Sequence, residues 1–201
     1  MVFFSMIESY ISKNLRNMFI FLIFIHIFIG TTLFFIAHTD FLFNLHNGSG
    51  LWNFAKDSTK YHIEAVNVLG YIESSQWSDF FSSYPNHQHV KLISLIYWIT
   101  GIHSPISFEI INSLVWATSI LLIYQSSKLL FPNFSKVPLF SILFFFQPSI
   151  LLSSTQLLRD PIFILGFCFI IYGLTIFSIE KSKWTWIIIV QIGILLMFAM
   201  R

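Results

Sequence analysis

The sequence predicts an all-α membrane protein, a polytopic bundle of about five transmembrane helices in a single domain. Two observations support this prediction. The chain of 201 residues is 56% hydrophobic with a mean hydropathy of +0.75, and only 10% of its residues are charged, whereas a soluble domain has roughly a quarter. Several apolar runs also approach the roughly 20 residues that cross a hydrocarbon core of about 30 Å. We therefore expect a lipid bilayer to surround most of the chain.

The N-terminal segment predicts two helical parts. Residues 1–17 place apolar side chains at helical spacing with polar ones opposite, which is typical of an amphipathic interfacial helix. Residues 18–38 are mostly Phe, Ile and Leu and predict span 1. A signal peptide is the rival interpretation, since Lys13 and Arg16 precede the run. However, the run is long and lacks small residues spaced for cleavage, so we expect it to remain as a span.

The rest of the chain divides into one polar loop and four further spans. Residues 39–104 predict an extracytoplasmic loop with juxtamembrane helices at about 59–71 and 90–100. The second of these helices is too short to span, so we expect it at the interface with Tyr97 and Trp98 as interfacial aromatics. Residues 106–201 predict spans 2 to 5, at about 106–124, 137–152, 160–179 and 184–200. Gln147-Pro148 predicts a kink in the third span.

Basic residues indicate an orientation. With a cytoplasmic N-terminus, pairs of basic residues flank three inner span ends, as the positive-inside rule requires. The pairs are Lys13 with Arg16, Lys128 with Lys136, and Lys181 with Lys183. We expect a multi-pass protein of a bacterial inner membrane, with its long loop outside. Asp57 and Asp160, far apart in sequence, then fall on the same extracytoplasmic face, and carboxylates at a membrane boundary indicate function.

Composition also argues against other classes of function. The net charge of +2 comes from scattered basic residues, so we expect no nucleic-acid partner. The predicted spans contain few ionisable residues, which argues against a transporter or channel. His87-Gln-His89 has no third ligand at a fixed spacing and is a poor zinc signal. His26 is expected to bond a neighbouring helix.

Four segments in fixed order between residues 57 and 160 carry a resemblance. Asp57 to Ala65 has an acidic residue, an aromatic residue four positions later and an Ala-containing helix, and residues 92–101 end in aromatics and a glycine. Residues 111–131 predict a span that ends in a basic residue, Lys128, and an aromatic residue, Phe131. Gln147-Pro148 is followed by Ser153-Ser154 and by Leu158-Arg159-Asp160. The set resembles the N-terminal module of the GT-C superfamily of polyprenyl-phosphate-sugar-dependent membrane glycosyltransferases, which includes protein mannosyltransferases and aminoarabinose transferases.

The resemblance implies that a sugar passes from a polyprenyl-phosphate donor to an acceptor on the extracytoplasmic side, with inversion. Asp57 would be the catalytic base; the alternative is a helix N-cap, and one residue can do both. Asp160 could position the acceptor, bind a divalent cation or cap its own helix. Arg159 could neutralise the departing phosphate. The remaining expected substrate contacts are Lys60, Tyr61, His62 and Arg201.

Three points stay open. For Lys60, His62 and Arg201, the alternative to a substrate contact is a solvated loop charge. Family members commonly carry a second acidic residue directly after the first, where this chain has Ser58, which leaves open whether a divalent cation binds as a cofactor. The chain could be the N-terminal part of an enzyme, or a non-catalytic membrane subunit that packs against partner membrane proteins.

Overall fold

A computed structural model of the chain describes residues 2–85, 87–134, 136–179 and 184–200, with side chains from residue 15 onward. These residues form nine α-helices, a few short 3-10 turns and no β-strand. The helices are α1 Val2–Ile36, α2 Lys56–Glu73, α3 Trp77–Ser82, α4 Gln88–Thr100, α5 Glu109–Leu130, α6 Val137–Phe145, α7 Pro148–Ser154, α8 Asp160–Ile179 and α9 Thr185–Ala199. The predicted all-α class is confirmed.

Three helical segments are long and apolar enough to cross a membrane: Leu15–Ile36, Pro105–Leu130 and Asp160–Ile179. Helices α6 and α7 meet at a bend of 56° and together make up to a fourth span. Helix α9 has 15 residues, which corresponds to roughly 22 Å and falls short of a typical hydrocarbon core. Three to four candidate spans are therefore present in the described residues.

The amphipathic segment and span 1 were predicted as separate parts, but they form the single helix α1. No proline occurs in residues 2–36, and Gly30 is the first glycine. Nothing in the sequence therefore stops the helix between the two parts. The segment predicted as a separate interfacial helix is consequently the N-terminal part of the same helix as span 1.

Helix α5 is the centre of the membrane bundle, where it packs against α1, α6 and α8. Their shared core contains Leu22, Trp116, Ala117, Ile120, Phe145 and Cys168. Helices α8 and α9 form a separate close pair. A Cβ atom added to Gly193 would lie 2.5 Å from the carbonyl oxygen of Gly166, so the two backbones approach as closely as small residues allow in membrane helix pairs.

The loop helices α2 and α4 pack on each other and form a second core. On α2, Tyr61, Ala65, Val68, Leu69 and Ile72 recur at helical spacing and are all buried. They meet Val90, Ile93 and Tyr97 of α4, together with Phe108 and Leu157.

The prediction that Tyr97 is an interfacial aromatic is wrong. Tyr97 is fully buried, while its neighbour Trp98 is 49% exposed. The reason is that Tyr97 lies four positions after Ile93 and seven after Val90, both of which are buried, and therefore shares their face of α4. Its hydroxyl lies 2.8 Å from Nδ1 of His62.

Candidate functional site

Tyr61 lies within electrostatic range of Asp57, Arg159 and Asp160, the charged residues that the sequence singled out. Its side chain is buried, and the charges of Arg159, Asp57, Asp160 and Glu64 all act on its hydroxyl. Burial is the largest influence and raises the pKa of Tyr61; Arg159 lowers it, and the three carboxylates raise it further. The first turn of α2 and the start of α8 therefore lie at the same end of the molecule.

Asp57 is an exposed residue in the first turn of α2. The N-cap of this helix is Ala55, without a side-chain hydrogen bond, so the N-cap alternative for Asp57 is wrong. A carboxylate in the first turn still interacts favourably with the helix dipole. Asp57 and Tyr61 are four positions apart and share one face of α2, which leaves the carboxylate accessible beside the Tyr61 ring.

Arg159 and Asp160 lie where the connection from α7 enters α8, and both are exposed. Asp160 is the first residue of α8 and Pro161 the second, a position that proline favours. Gln156, three residues before Arg159, is buried. Its Oε1 accepts a hydrogen bond from the backbone N–H of Trp52 (3.2 Å), and its carbonyl accepts one from Nδ2 of Asn112 (3.0 Å). Buried contacts therefore fix the turn that presents Arg159 and Asp160.

A groove of about 650 Å³ runs between α8 and α9. Its wall is mostly apolar and consists of Phe163, Ile170, Ile194, Met197, Phe198 and Met200, with Arg159 and Asp160 at one end. Nη1 of Arg159 lies 3.5 Å from the carbonyl oxygen of Met200, a long contact that it could exchange for a ligand. An apolar channel with a guanidinium and a carboxylate at its end is suited to an amphipathic molecule with an anionic head.

The other expected substrate contacts are placed differently. Lys60 is exposed and lies 3.8 Å from Glu64, which also lies 3.0 Å from Nδ1 of His87. His62 shares a hydrogen bond with Tyr97, and burial lowers the pKa of His62. Arg201 lies outside the described residues. The charges of Asp57, Arg159 and Asp160 thus all act on Tyr61, whereas Lys60 and His62 have other partners.

His89 is a buried neighbour of this cluster that the sequence did not single out as a functional residue. Its ring lies 5.6 Å from the rings of Tyr61 and Phe108, and neither nitrogen has a partner with hydrogen-bond geometry. Burial lowers the pKa of His89 to about 4; the charge of Arg159 acts in the same direction, and the nearby carbonyl of Leu157 opposes it. At neutral pH the ring is therefore uncharged.

A divalent cation at Asp160 would find few protein ligands. Among the described residues, no three His, Cys, Asp or Glu side chains lie close enough to hold one metal ion. His87 is paired with Glu64, and His89 is enclosed by aromatic rings. Any cation at this end would depend on Asp160 together with oxygens from substrate or water.

A second polar cluster lies inside the helix bundle. His26 of α1 is fully buried; its Nδ1 lies 2.7 Å from Oε1 of Glu109, and its Nε2 lies 2.8 Å from the Ser154 hydroxyl. The sequence predicted that His26 bonds a neighbouring helix, but it did not identify Glu109 as the partner. The sequence signal was His26 alone: an ionisable residue in a membrane span requires a partner, but residue type and spacing do not indicate which one.

Comparison with known proteins finds no family model, no curated protein and no solved structure that matches the chain.

Proposed function

We propose that the chain is a membrane glycosyltransferase of the GT-C type, or the N-terminal part of one. It transfers a sugar from a polyprenyl-phosphate donor to an acceptor on the extracytoplasmic side. The observation that supports this proposal is the groove between α8 and α9, which has Arg159 and Asp160 at its end beside Tyr61 and Asp57. The groove is suited to a polyprenyl tail, and its charged end to a phosphate-linked sugar.

The proposed reaction assigns a role to each of these groups. Asp57 accepts the proton of the acceptor hydroxyl or amine as that group attacks the anomeric carbon. The new glycosidic bond forms while the bond between the anomeric carbon and the phosphate oxygen breaks, with inversion. The phosphate keeps the bonding electrons, and Arg159 stabilises its charge by paired hydrogen bonds. Tyr61, whose raised pKa keeps it protonated, donates a hydrogen bond to the same phosphate.

The membrane arrangement belongs to the proposal as well. Five spans with a cytoplasmic N-terminus place the α2–α4 region outside a bacterial inner membrane, next to the start of α8. In this arrangement the donor phosphate lies at the outer leaflet, and the acceptor approaches from the extracytoplasmic side. Asp160 positions that acceptor or a divalent cation.

A non-catalytic subunit is the second candidate. Two observations favour it: Ser58 follows Asp57 where the resembled family has a second acidic residue, and α1 exposes large apolar side chains. These are Phe21, Phe24, Phe28 and Phe35. Such a face suits either lipid or a partner helix.

Donor consumption tests the proposal. Membranes containing the native chain are incubated with radiolabelled undecaprenyl-phosphate mannose, glucose or aminoarabinose, and loss of label from the lipid is measured. Asp57→Asn is expected to reduce transfer by a factor of about 100 or more, because a general base contributes about that much. Asp79→Asn is the matched control, since Asp79 is an exposed first-turn carboxylate of α3. Equal transfer rates for the native chain and Asp57→Asn would show that Asp57 has no part in the mechanism. If no donor is consumed, the non-catalytic subunit is favoured.

A further inference from the structure

The turn that carries Arg159 and Asp160 is connected to the interior of the membrane bundle. Ser154 ends α7, and its hydroxyl lies 2.8 Å from Nε2 of His26 while donating a hydrogen bond to the carbonyl of Leu151. His26 in turn shares a 2.7 Å hydrogen bond with Glu109, the first residue of α5. One polar network therefore joins α1, α5 and the end of α7.

This network is held in a single arrangement. His26 and Ser154 are buried, and Glu109 is only 5% exposed, so none of the three can exchange its partner for water without opening the bundle. Gly30 makes room for the carboxyl group, since a Cβ atom there would collide with Glu109. A glycine inside α1 costs about 0.5–1 kcal/mol in helix stability relative to alanine, and here it permits the close approach of α5.

Helix α7 depends on such external contacts. It has seven residues and is separated from α6 by the 56° bend, and a helix of two turns has little stability of its own. Its other anchor is Gln156, which is bonded to Trp52 and Asn112. The short segment 154–160 is thus fixed at Ser154 from the membrane interior and at Gln156 from the loop side.

We propose that His26 and Glu109 are positioning residues for the donor site: through Ser154 they hold the end of α7, and therefore the Arg159-Asp160 turn, against Tyr61 and Asp57. This inference rests on the proposed function for its catalytic meaning. The physical link is the hydrogen bond from His26 to Ser154, followed by the backbone from Ser154 to Arg159, which Gln156 anchors through Trp52 and Asn112. His26 and Glu109 themselves do not contact substrate.

The test measures position and ligand binding separately. Spin labels are attached to Ile63→Cys on α2 and Phe167→Cys on α8, both exposed positions, in a Cys168→Ala background that removes the other thiol. The variant is His26→Leu. The matched control is Thr32→Val, because Thr32 is exposed on the same helix and bonds only the carbonyl of Phe28. Undecaprenyl phosphate binding is measured on the same proteins in nanodiscs.

Native protein and Thr32→Val should give one narrow distance distribution, and His26→Leu a broader or shifted one. The Kd for undecaprenyl phosphate should rise by about two- to thirtyfold in His26→Leu, the range seen for residues that act through others. His26→Gln keeps a donor and an acceptor and should recover part of both effects. If His26 were needed only for stability, His26→Leu would lower the Tm but leave the spin-label distance between α2 and α8 unchanged.

An unchanged distance distribution in His26→Leu, with native affinity for the lipid, overturns the inference. If His26→Leu does not fold, Gly30→Ala gives the same test in a milder form, since the added methyl group displaces Glu109 from His26. If the native protein fails to bind undecaprenyl phosphate, the proposed function is wrong, while the spin-label distances still decide whether His26 positions the turn.

Discussion

His89 is a buried ionisable residue, and among the described residues neither ring nitrogen has a partner with hydrogen-bond geometry. Because burial lowers its pKa to about 4, the folded protein binds a proton there only at low pH, whereas the unfolded chain binds one below about pH 6.5. Between these values the unfolded state carries more protons. The free energy of unfolding is therefore not reduced by this residue above about pH 6.5, and it decreases as the pH falls from there toward 4.

Replacing His89 should make folding less sensitive to acid. From the two pKa values, the native protein should lose about 2 kcal/mol of unfolding free energy through this residue between pH 7 and pH 5, and His89→Leu should not. Chemical unfolding in detergent at both pH values measures the difference. His103→Gln is the control, since that ring is half-exposed; it should keep the native pH dependence. An equally steep loss in His89→Leu contradicts the buried, neutral state of the ring.

The candidate residues differ in how far the sequence could indicate them. Asp57, Arg159 and Asp160 could be selected as candidates because carboxylates and an arginine at a membrane boundary indicate function. The pairing of His26 with Glu109 could not, because the two residues are 83 positions apart. Their contact depends on how α1 packs against α5, and neither residue type nor spacing determines that packing.

At the scale of elements, the pair formed by α8 and α9 depends on glycine. A Cβ atom at Gly166 would lie 2.7 Å from the carbonyl oxygen of Gly193, and one at Gly173 would lie 2.7 Å from a methyl group of Val190. In lipid no hydrophobic effect drives helices together, so van der Waals contact at such sites contributes much of the association. The same pairing forms the wall of the groove.

A methyl group at Gly193 should separate these two helices. Gly193→Ala is expected to destabilise the protein by roughly 1–3 kcal/mol, as overpacking does, and to lower its Tm. Gly70→Ala is the matched control, because nothing lies within 4 Å of an added Cβ atom there and alanine is the better helix former by about 0.5–1 kcal/mol. Thermal unfolding in detergent compares them. A Tm for Gly193→Ala at or above that of the control shows that close packing of the pair is not required.

The broken third span illustrates what periodicity predicts and what it leaves open. Gln147-Pro148 correctly predicted the position of a kink, since proline lacks an N–H and restricts the residue before it. The backbone of Gln147 is in fact extended at ψ 129°, and the bend of 56° divides the span into two helices. The size of the bend could not be predicted, because proline restricts the backbone only locally, whereas α7 is positioned by its packing against the distant helices α5 and α8.

At the scale of the whole molecule, hydropathy was sufficient for the fold class and for three of the spans. Their lengths and compositions match a bilayer regardless of how the helices pack. The predicted fifth span is not confirmed, because α9 has 15 residues, roughly 22 Å, and is shorter than a typical hydrocarbon core. The predicted orientation also rests on a small difference. Six basic residues would flank the inner side, and five would lie on the outer side: Lys56, Lys60, Lys91, Arg159 and Arg201.

Cysteine labelling tests this orientation. In a Cys168→Ala background, a membrane-impermeant maleimide should label Lys60→Cys and Arg159→Cys on intact cells. It should label Lys136→Cys only after permeabilisation. All three native side chains are exposed, so a failure to react reports the side of the membrane. Labelling of positions 60 and 159 on opposite sides contradicts the proposed site, and external labelling of position 136 alone reverses the topology.

The groove between α8 and α9 has one further consequence. Phe163, Ile194 and Phe198 are 43%, 52% and 76% exposed, so its long side faces the surrounding acyl chains. In the proposed function, a lipid substrate could enter laterally from the bilayer, so that its tail stays in hydrocarbon. The hydrophobic free energy of the tail would then be nearly the same in bound and free lipid. Recognition would then fall on the head group at Arg159, and the protein should tolerate prenyl chains of very different length.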